Sequence, residues 1–461
     1  MKTKNAGFAV PQLDAETAVS LGQVLESSDF TEQLPDESGQ SFTSQSVLQR
    51  LFTRGEAVAI RHAERAFPAQ LLGKLVRAGL LVETDRQLCS LFQAQRYRGM
   101  TFLVDFFGKS QPADFVLPVG PAGQYLADLT IRKPVLSALD LGCGCGVQSL
   151  LAAKHCAQVS ATDINPRALQ FTRLNVAINR IPNIEILEGS FLEPVRGRSF
   201  DLIVANLPYV ITPENTFSYR DAGEGRDAIL YDLLRQLPDA LNENGFAHIL
   251  ANWTHAFEQP FWRPLNTGLE ALPVDAWLIH NGSKSPSEYA GMWLGDSQAD
   301  PADYERKKLE WLAWYQASQI ELIALGALIL RRRSAVSNWI CSASVTKRLS
   351  GPAGRQISAL FLAQDQLISF ESAQTLGQAR LVSRQLTFTQ IPARPDRWLC
   401  CSAGMELSEE VQSSTVAVLN FLDGKNSLLE AIQLANVSPE NIERDVRSML
   451  SLGMLAFQTE E

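Results

Sequence analysis

Short apolar runs alternate with helical repeats through the middle of the chain. Runs at Val135–Leu139, Val159–Asp163, Ile184–Gly189, Phe200–Ala205, Phe246–Leu250, Ala276–His280 and Gly326–Leu330 have the length and character of seven buried strands. Between them, apolar residues return at helical spacing: Val147–Ala153, then Ala168, Leu169, Leu174 and Ala177, then Leu230, Leu233, Leu234, Leu237 and Leu241. Pro166 marks a helix start, and Asn242–Gly245 stops the helix before the fifth strand. Such alternation predicts an α/β sheet with helices on both faces. An insertion at about 283–320 separates the sixth and seventh strands. Its Trp311, Leu312, Trp314 and Tyr315 share a helical stripe, so these aromatics, with Trp293, read as core of a cap on the sheet edge. Arg331–Arg333 reads as a solvated strand end.

The flanks differ from this centre. Residues 1–40 are polar and acidic, with one helix expected over Asp14–Glu26. Residues 41–105 give helices at Ser44–Phe52 and Pro68–Leu81, a helix exit at Gly79, a turn at Glu83–Arg86 and a strand at Gln87–Phe92. Helices followed by a β-hairpin suggest a winged-helix-like domain. After the central domain, 106–333, residues 334–461 read as an α+β domain. Strands are expected at Gln356–Leu362 and Arg380–Ser383, and helices at Val411–Leu422 and Ser427–Leu434, with a turn at Asp423–Lys425 between them. Ser438–Asn441 starts a last helix with Pro439 in its first turn. Leu450–Phe457 echoes Leu75–Leu81, which makes the end of this domain a second winged-helix-like candidate.

A length of 461 residues allows two to four domains. The net charge of −9 argues against a surface built mainly to hold phosphates, although a local strip such as Arg96, Tyr97 and Arg98 could touch RNA or an acidic protein. The bland reading of that strip is a solvated strand edge. No charge-free apolar stretch approaches the length of a membrane span, and the first residues lack an apolar signal core. Seven scattered cysteines without a C-x-x-C pair, and five dispersed histidines, point to a reducing cytoplasm and to no metal site. Cys400 and Cys401 are adjacent, which suits a disulfide poorly.

The candidate chemistry sits where the strands end. The first strand runs into Asp140, and Gly142, Gly144 and Gly146 follow at alternate positions, with Cys143 and Cys145 between them. This is a strand, a tight turn and a helix start. A dinucleotide site has G-x-G-x-x-G and a pyrophosphate on the helix N-terminus. Here the spacing is G-x-G-x-G. The preceding carboxylate would repel a pyrophosphate but suits a cationic ligand. The second strand also ends in an acid, Asp163, and the fourth runs into Asn206-Leu207-Pro208-Tyr209.

Together these stretches resemble the class I S-adenosylmethionine-dependent methyltransferases. The run from Phe115 to Trp253 is similar to the HemK/PrmC-like protein-glutamine methyltransferases, including Ala222-Gly-Glu-Gly-Arg-Asp227 at the start of the helix before the fifth strand. The chain also resembles larger bacterial proteins that carry this core between further domains. The resemblance implies a Rossmann-like seven-stranded sheet and S-adenosylmethionine as cofactor. It implies a cofactor site of Asp140, Gly142, Cys143, Gly144, Gly146, Asp163, Ile164, Ser190, Phe191 and Asn206. Asp163 would take the ribose hydroxyls, and Ser190 and Phe191 the adenine. The Pro-rich loop expected over the cofactor falls at Val116–Gly123 but lacks the family's charged residues.

The catalytic set is Asn206, Leu207, Pro208 and Tyr209. An amide or aryl amine nitrogen is a poor nucleophile because its lone pair is delocalised. The Asn206 side-chain oxygen and the Leu207 carbonyl could accept both of its N–H groups, while Tyr209 stacks on its plane. The expected activity is N-methylation of a macromolecule, with a protein glutamine of the translation machinery favoured over RNA. The alternatives are an exocyclic adenine amine in RNA, since N-L-P-Y also occurs in rRNA adenine dimethyltransferases, and a non-catalytic binding protein that kept the fold.

Overall fold

A computed structural model describes residues 8–27, 43–106, 114–214, 227–295, 301–334, 338–345, 349, 351–369, 373–402 and 405–458. The chain divides into two compact units. One holds residues 1–126, 133–276 and 283–338; the other holds 127–132, 277–282 and 339–461.

The first unit is organised on the strands β1 (Val135–Leu141), β2 (Cys156–Asp163), β3 (Ile184–Glu188), β4 (Phe200–Ala205), β5 (Leu241–His255) and β7 (Leu322–Arg332), with the two ends of β6 (Val274–Lys284). Their spatial order is β3-β2-β1-β4-β5-β7-β6. Strands β1 to β5 are parallel, and β7 runs antiparallel to β5. Helices α1 (Val147–Ala152), α2 (Pro166–Ile178) and α3 (Ala228–Ala240) connect the parallel strands. This is the Rossmann-like α/β sheet expected of the sequence. The chain leaves β1 toward β2 on one side and returns to β4 on the other, so the crevice at the carboxyl ends of β1 and β4 is the topological switch point, where α/β sheets bind ligands.

The register aligns those carboxyl ends. Leu141 pairs with Thr162 of β2 and Ala205 of β4, and Ala205 pairs with Ile249 of β5. The next residues, Gly142, Asp163 and Asn206, therefore leave the sheet along one edge.

Several expectations need correction. Strand β5 begins at Leu241 and takes in the supposed helix stop. A register shift between Leu241 and Phe246, with Asn244 at φ 62°, absorbs the irregular residues. Arg331 is not a solvated strand end. It lies buried, donating from Nε (3.0 Å) and Nη2 (2.5 Å) to the buried Asp275 of β6. Arg332 donates to the Pro238 and Leu241 carbonyls. A charge run in sequence cannot reveal a carboxylate supplied by another strand.

The insertion forms α4 (Pro286–Gly295) and α5 (Pro301–Ala317). Trp311 and Tyr315 are fully buried, as their spacing predicted. They pack with Tyr289, Leu294 and Ile323 on Val210 and Ile211, the residues just after the motif at the end of β4.

In the N-terminal part, helices cover Ala15–Ser27, Ser44–Leu48, Ile60–Ala66 and Ala69–Arg77. A hairpin of Leu81–Thr84 and Gln87–Ser90 follows, turning at Asp85 and Arg86, both with positive φ. That is the order of elements on which the winged-helix-like reading rests. Arg96 donates to the Leu25 and Glu26 carbonyls and so ties down a helix end, while the Arg98 guanidinium lies over the Tyr97 ring.

In the second unit, Ile340–Ser344 forms a strand and Val345 donates to the His280 carbonyl (2.8 Å). Gln356–Leu362 is not a strand; it belongs to a helix, Gly354–Ser369. Ile357, Leu360, Phe361 and Gln364 are buried at helical spacing, and a short apolar run does not distinguish the two periods. Val411 and Gln412 end a strand, Ser408–Gln412, and the helix is Ser413–Leu419. Asp423–Lys425 falls in a short strand, Asp423–Ser427. Pro439 precedes the last helix, Ile442–Ser451, whose N-cap is Asn441. The echo between the two ends has a local counterpart: each helix exits through a glycine of positive φ, Gly79 or Gly453, into a strand. Among the described residues no helix is long and apolar enough to cross a membrane.

Candidate active site

All three glycines of the turn have positive φ: 70° at Gly142, 55° at Gly144 and 83° at Gly146. An L side chain is strained there, which accounts for the residue type at each alternate position. The Gly142 and Cys143 N–H groups both donate to the Thr162 carbonyl at 2.9 Å, which fastens the turn to the end of β2. Asp163 completes the link. Its Oδ2 accepts the Gly144 N–H and its Oδ1 the Asn165 N–H, each at 2.9 Å. From α2, Thr172 donates to the Gly144 carbonyl and Asn175 to that of Cys145.

Asp140 is 2% exposed, and its Oδ2 accepts both the N–H (2.8 Å) and the hydroxyl (2.5 Å) of Ser149 in α1. Burial pushes its carboxyl up to about 7, against the lowering effect of the Ser149 bonds. Burial likewise raises Asp163. The Cys143 and Cys145 thiols are raised by burial too, which holds them as inert neutral groups rather than nucleophiles.

The adenine-side candidates lie beside this turn. The Gly189 N–H donates to the Asp163 carbonyl (3.0 Å), so Ser190 and Phe191 emerge next to Asp163, with Phe191 at φ 46°. Ile164 is 62% exposed, unusual for so large an apolar residue directly after a buried acid.

The acceptor-side motif adjoins the turn: a Cβ added to Gly142 would come within 3.1 Å of Leu207 Cδ2. Asn206 Oδ1 is buried and has no hydrogen-bond partner among the described residues. Leu207, Pro208 and Tyr209 line a shallow cleft together with Asp227, α3 residues including Leu230 and Leu233, and β5 residues from Ile249 to Asn252. Tyr209 meets Trp293 edge-on, with ring centroids 6.2 Å apart. Burial raises the Tyr209 phenol to about 12, so it stays neutral and offers a ring face, not a base.

Thus the sequence-predicted residues gather on one edge. Residues 222–226 of the glycine–arginine run lie outside the described residues. Its last residue, Asp227, accepts from the N–H and hydroxyl of Thr254 and so ties the start of α3 to β5. Sequence reasoning missed Asp227 and Asn252 as cleft residues. A lone amide inside the apolar run Phe246–Trp253 was the available signal for Asn252.

The residues fit the cofactor that the resemblance implies. A Cβ on Gly144 would meet nothing within 4 Å, so the turn is open on that side, and a buried amide oxygen waits unpaired at the neighbouring strand end.

Comparison with known proteins agrees. Residues 123–265 match the family model described as methyltransferase small domain. A Methanocaldococcus jannaschii protein, provisionally named a protein N5-glutamine methyltransferase, is 33% identical over 120 residues, covering 24% of this chain and 59% of that one. The ribosomal protein L11 methyltransferase of Lactobacillus helveticus is 37% identical over 123 residues, 25% of this chain and 38% of that one. The release factor glutamine methyltransferase of Aquifex aeolicus is 36% identical over 85 residues, 18% of this chain and 30% of that one. The chain spans less than two thirds of the length of each of these relatives. Sheet order, glycine turn and family match point the same way: residues 123–265 match the methyltransferase small domain family model and carry the sheet and glycine turn expected of a class I, S-adenosylmethionine-dependent methyltransferase.

Proposed function

We propose that the chain methylates a nitrogen in a planar group, and that this group is the side-chain amide of a protein glutamine. The observation that carries the reading is Asn206 Oδ1, buried without a partner at the end of β4. A buried acceptor left unpaired costs about 1–3 kcal/mol, so a site that keeps one holds it for a donor that arrives with a ligand. The names of two relatives specify glutamine as acceptor, which favours an amide N–H₂ as that donor.

S-adenosylmethionine, when bound, supplies a methyl group on a cationic sulfur that departs neutral. The protein's part is placement. Asn206 Oδ1 accepts one amide hydrogen and the Leu207 carbonyl the other, which raises electron density on the nitrogen as the N–C bond forms, and one of these two hydrogens then leaves as a proton to solvent. The Tyr209 ring supports the flat face of the amide. Pro208 restricts the backbone directly after the Leu207 carbonyl. Asp163, Ser190, Phe191 and Ile164 hold the cofactor's nucleoside end, and the glycine turn lets it approach bare backbone. All seven cysteines are free thiols, which suits a reducing cytoplasm.

Labelled cofactor incubated with the protein and a cell extract tests the acceptor class. Label released by protease and recovered as N5-methylglutamine supports the reading. Label released by RNase instead, in methylated adenine, would replace it.

A further inference from the structure

The insertion between β6 and β7 does more than pack. Strand β4 ends at Ala205, and beyond it the acceptor segment keeps only an isolated bridge at Val210 among the described residues. Ile211, two residues after Tyr209, is fully buried and held at both main-chain groups by two different helices. Its N–H donates to the Tyr289 hydroxyl of α4 (3.2 Å), and its carbonyl accepts from the Tyr315 hydroxyl of α5 (2.8 Å). The Tyr289 hydroxyl also accepts from Asn252 Nδ2 (2.6 Å), and Asn252 lines the cleft from β5. One oxygen therefore joins the acceptor segment, the insertion and the cleft wall. Farther along, Trp311 Nε1 donates to Glu214 (3.0 Å), and Lys307 pairs with the same carboxylate (3.5 Å). Trp293, tilted against Tyr289, meets the Tyr209 ring edge-on.

We infer that α4 and α5 are the scaffold that positions the methyl acceptor, with Tyr289 and Tyr315 as positioning residues acting through Ile211 on Tyr209. This rests on the acceptor reading above. Helix packing alone requires only the two rings. Gripping both main-chain groups of one residue requires the two hydroxyls. Misplacing a substrate platform by about 1 Å can cost on the order of a hundredfold in rate, so such a grip has functional weight.

Tyr289→Phe and Tyr315→Phe, singly and together, remove the hydroxyls and keep the rings. Three readouts apply: hydrogen exchange of the 206–214 segment, calorimetric affinity for S-adenosylmethionine, and methyl incorporation against graded amounts of extract from cells lacking this protein. The double variant should exchange 206–214 about tenfold faster and need about tenfold more extract for half-maximal rate, with cofactor affinity within about twofold of wild type. Trp293→Ala should raise the extract requirement and Trp293→Phe should restore it. An unchanged extract requirement, unchanged exchange, or a parallel fall in cofactor affinity overturns the inference. Asn206→Ala in the same assay judges the acceptor reading separately. Full activity there defeats the nitrogen mechanism, whereas the tyrosines are judged on the extract requirement alone.

Discussion

On the side of the sheet edge proposed for the cofactor, both carboxylates already hold groups of the chain itself: Asp163 the N–H groups of Gly144 and Asn165, and Asp140 the N–H and the hydroxyl of Ser149. On the acceptor side, Asn206 Oδ1 is buried with nothing bound to it. The first arrangement is a binding surface assembled during folding, so damage to it reaches stability as well as affinity. The second leaves a polar group unsatisfied until a substrate arrives, so damage to it reaches the reaction and little else. What holds each side differs accordingly: hydrogen bonds close the glycine turn, whereas aromatic packing and two tyrosine hydroxyls hold the acceptor segment.

The largest effect belongs to the cofactor side. Arg167, at the start of α2, makes a buried bidentate pair with Asp105, whose Oδ2 also accepts the Val116 N–H of the loop before β1. Arg167→Ala leaves that carboxylate buried and unpaired, and should destabilise the domain by about 3 kcal/mol or more, visible in denaturant unfolding. A loss below about 1 kcal/mol would mean that this side is not held by its polar contacts.

Asp163→Ala comes next. It removes the carboxylate proposed to accept the ribose hydroxyls and frees two N–H groups, so calorimetry should show cofactor binding weakened on the order of 2–3 kcal/mol. Unchanged affinity would place the ribose elsewhere.

Asp140 sharpens the comparison through pH. Its folded carboxyl lies at about 7, above the ordinary 3.8, so the folded protein keeps a proton that the unfolded chain has lost. Its contribution to stability therefore falls as pH rises from about 4 to about 7 and is constant above. Asp140→Asn should match wild type near pH 4 and be the more stable near pH 7. Wild-type affinity for the cationic cofactor should rise through the same window, because only the ionised carboxyl attracts it. Parallel pH profiles for the two proteins would show that Asp140 does not titrate there. The smallest effect is Tyr209→Phe, which keeps the ring face and should change turnover less than about threefold, whereas Tyr209→Ala should be severe.

The glycine turn after β1 was legible in the sequence because local rules dictate it. Glycines at positions of positive φ, an acid at a strand end and a proline at a helix start are each readable within a few residues. The acceptor motif was equally local. Its supports were not: nothing near Ile211 announces Tyr289 and Tyr315, which come from 78 and 104 residues away. Arg331 failed for the same reason, since Asp275 lies 56 residues off. Gln356–Leu362 failed differently, because a short apolar run fits either period until its burial is known. The helical stripe of Trp311 and Tyr315 correctly predicted burial but could not name the surface buried against it.

The central claim is that Asn206 serves the reaction and not the fold. Turnover and cofactor affinity of Asn206→Ala, measured on one preparation, test it most directly. Methyl transfer should fall at least about a hundredfold, about 2.7 kcal/mol of barrier, while S-adenosylmethionine affinity and the unfolding midpoint stay near wild type. Full turnover, or a loss of affinity as large as the loss of rate, would contradict it.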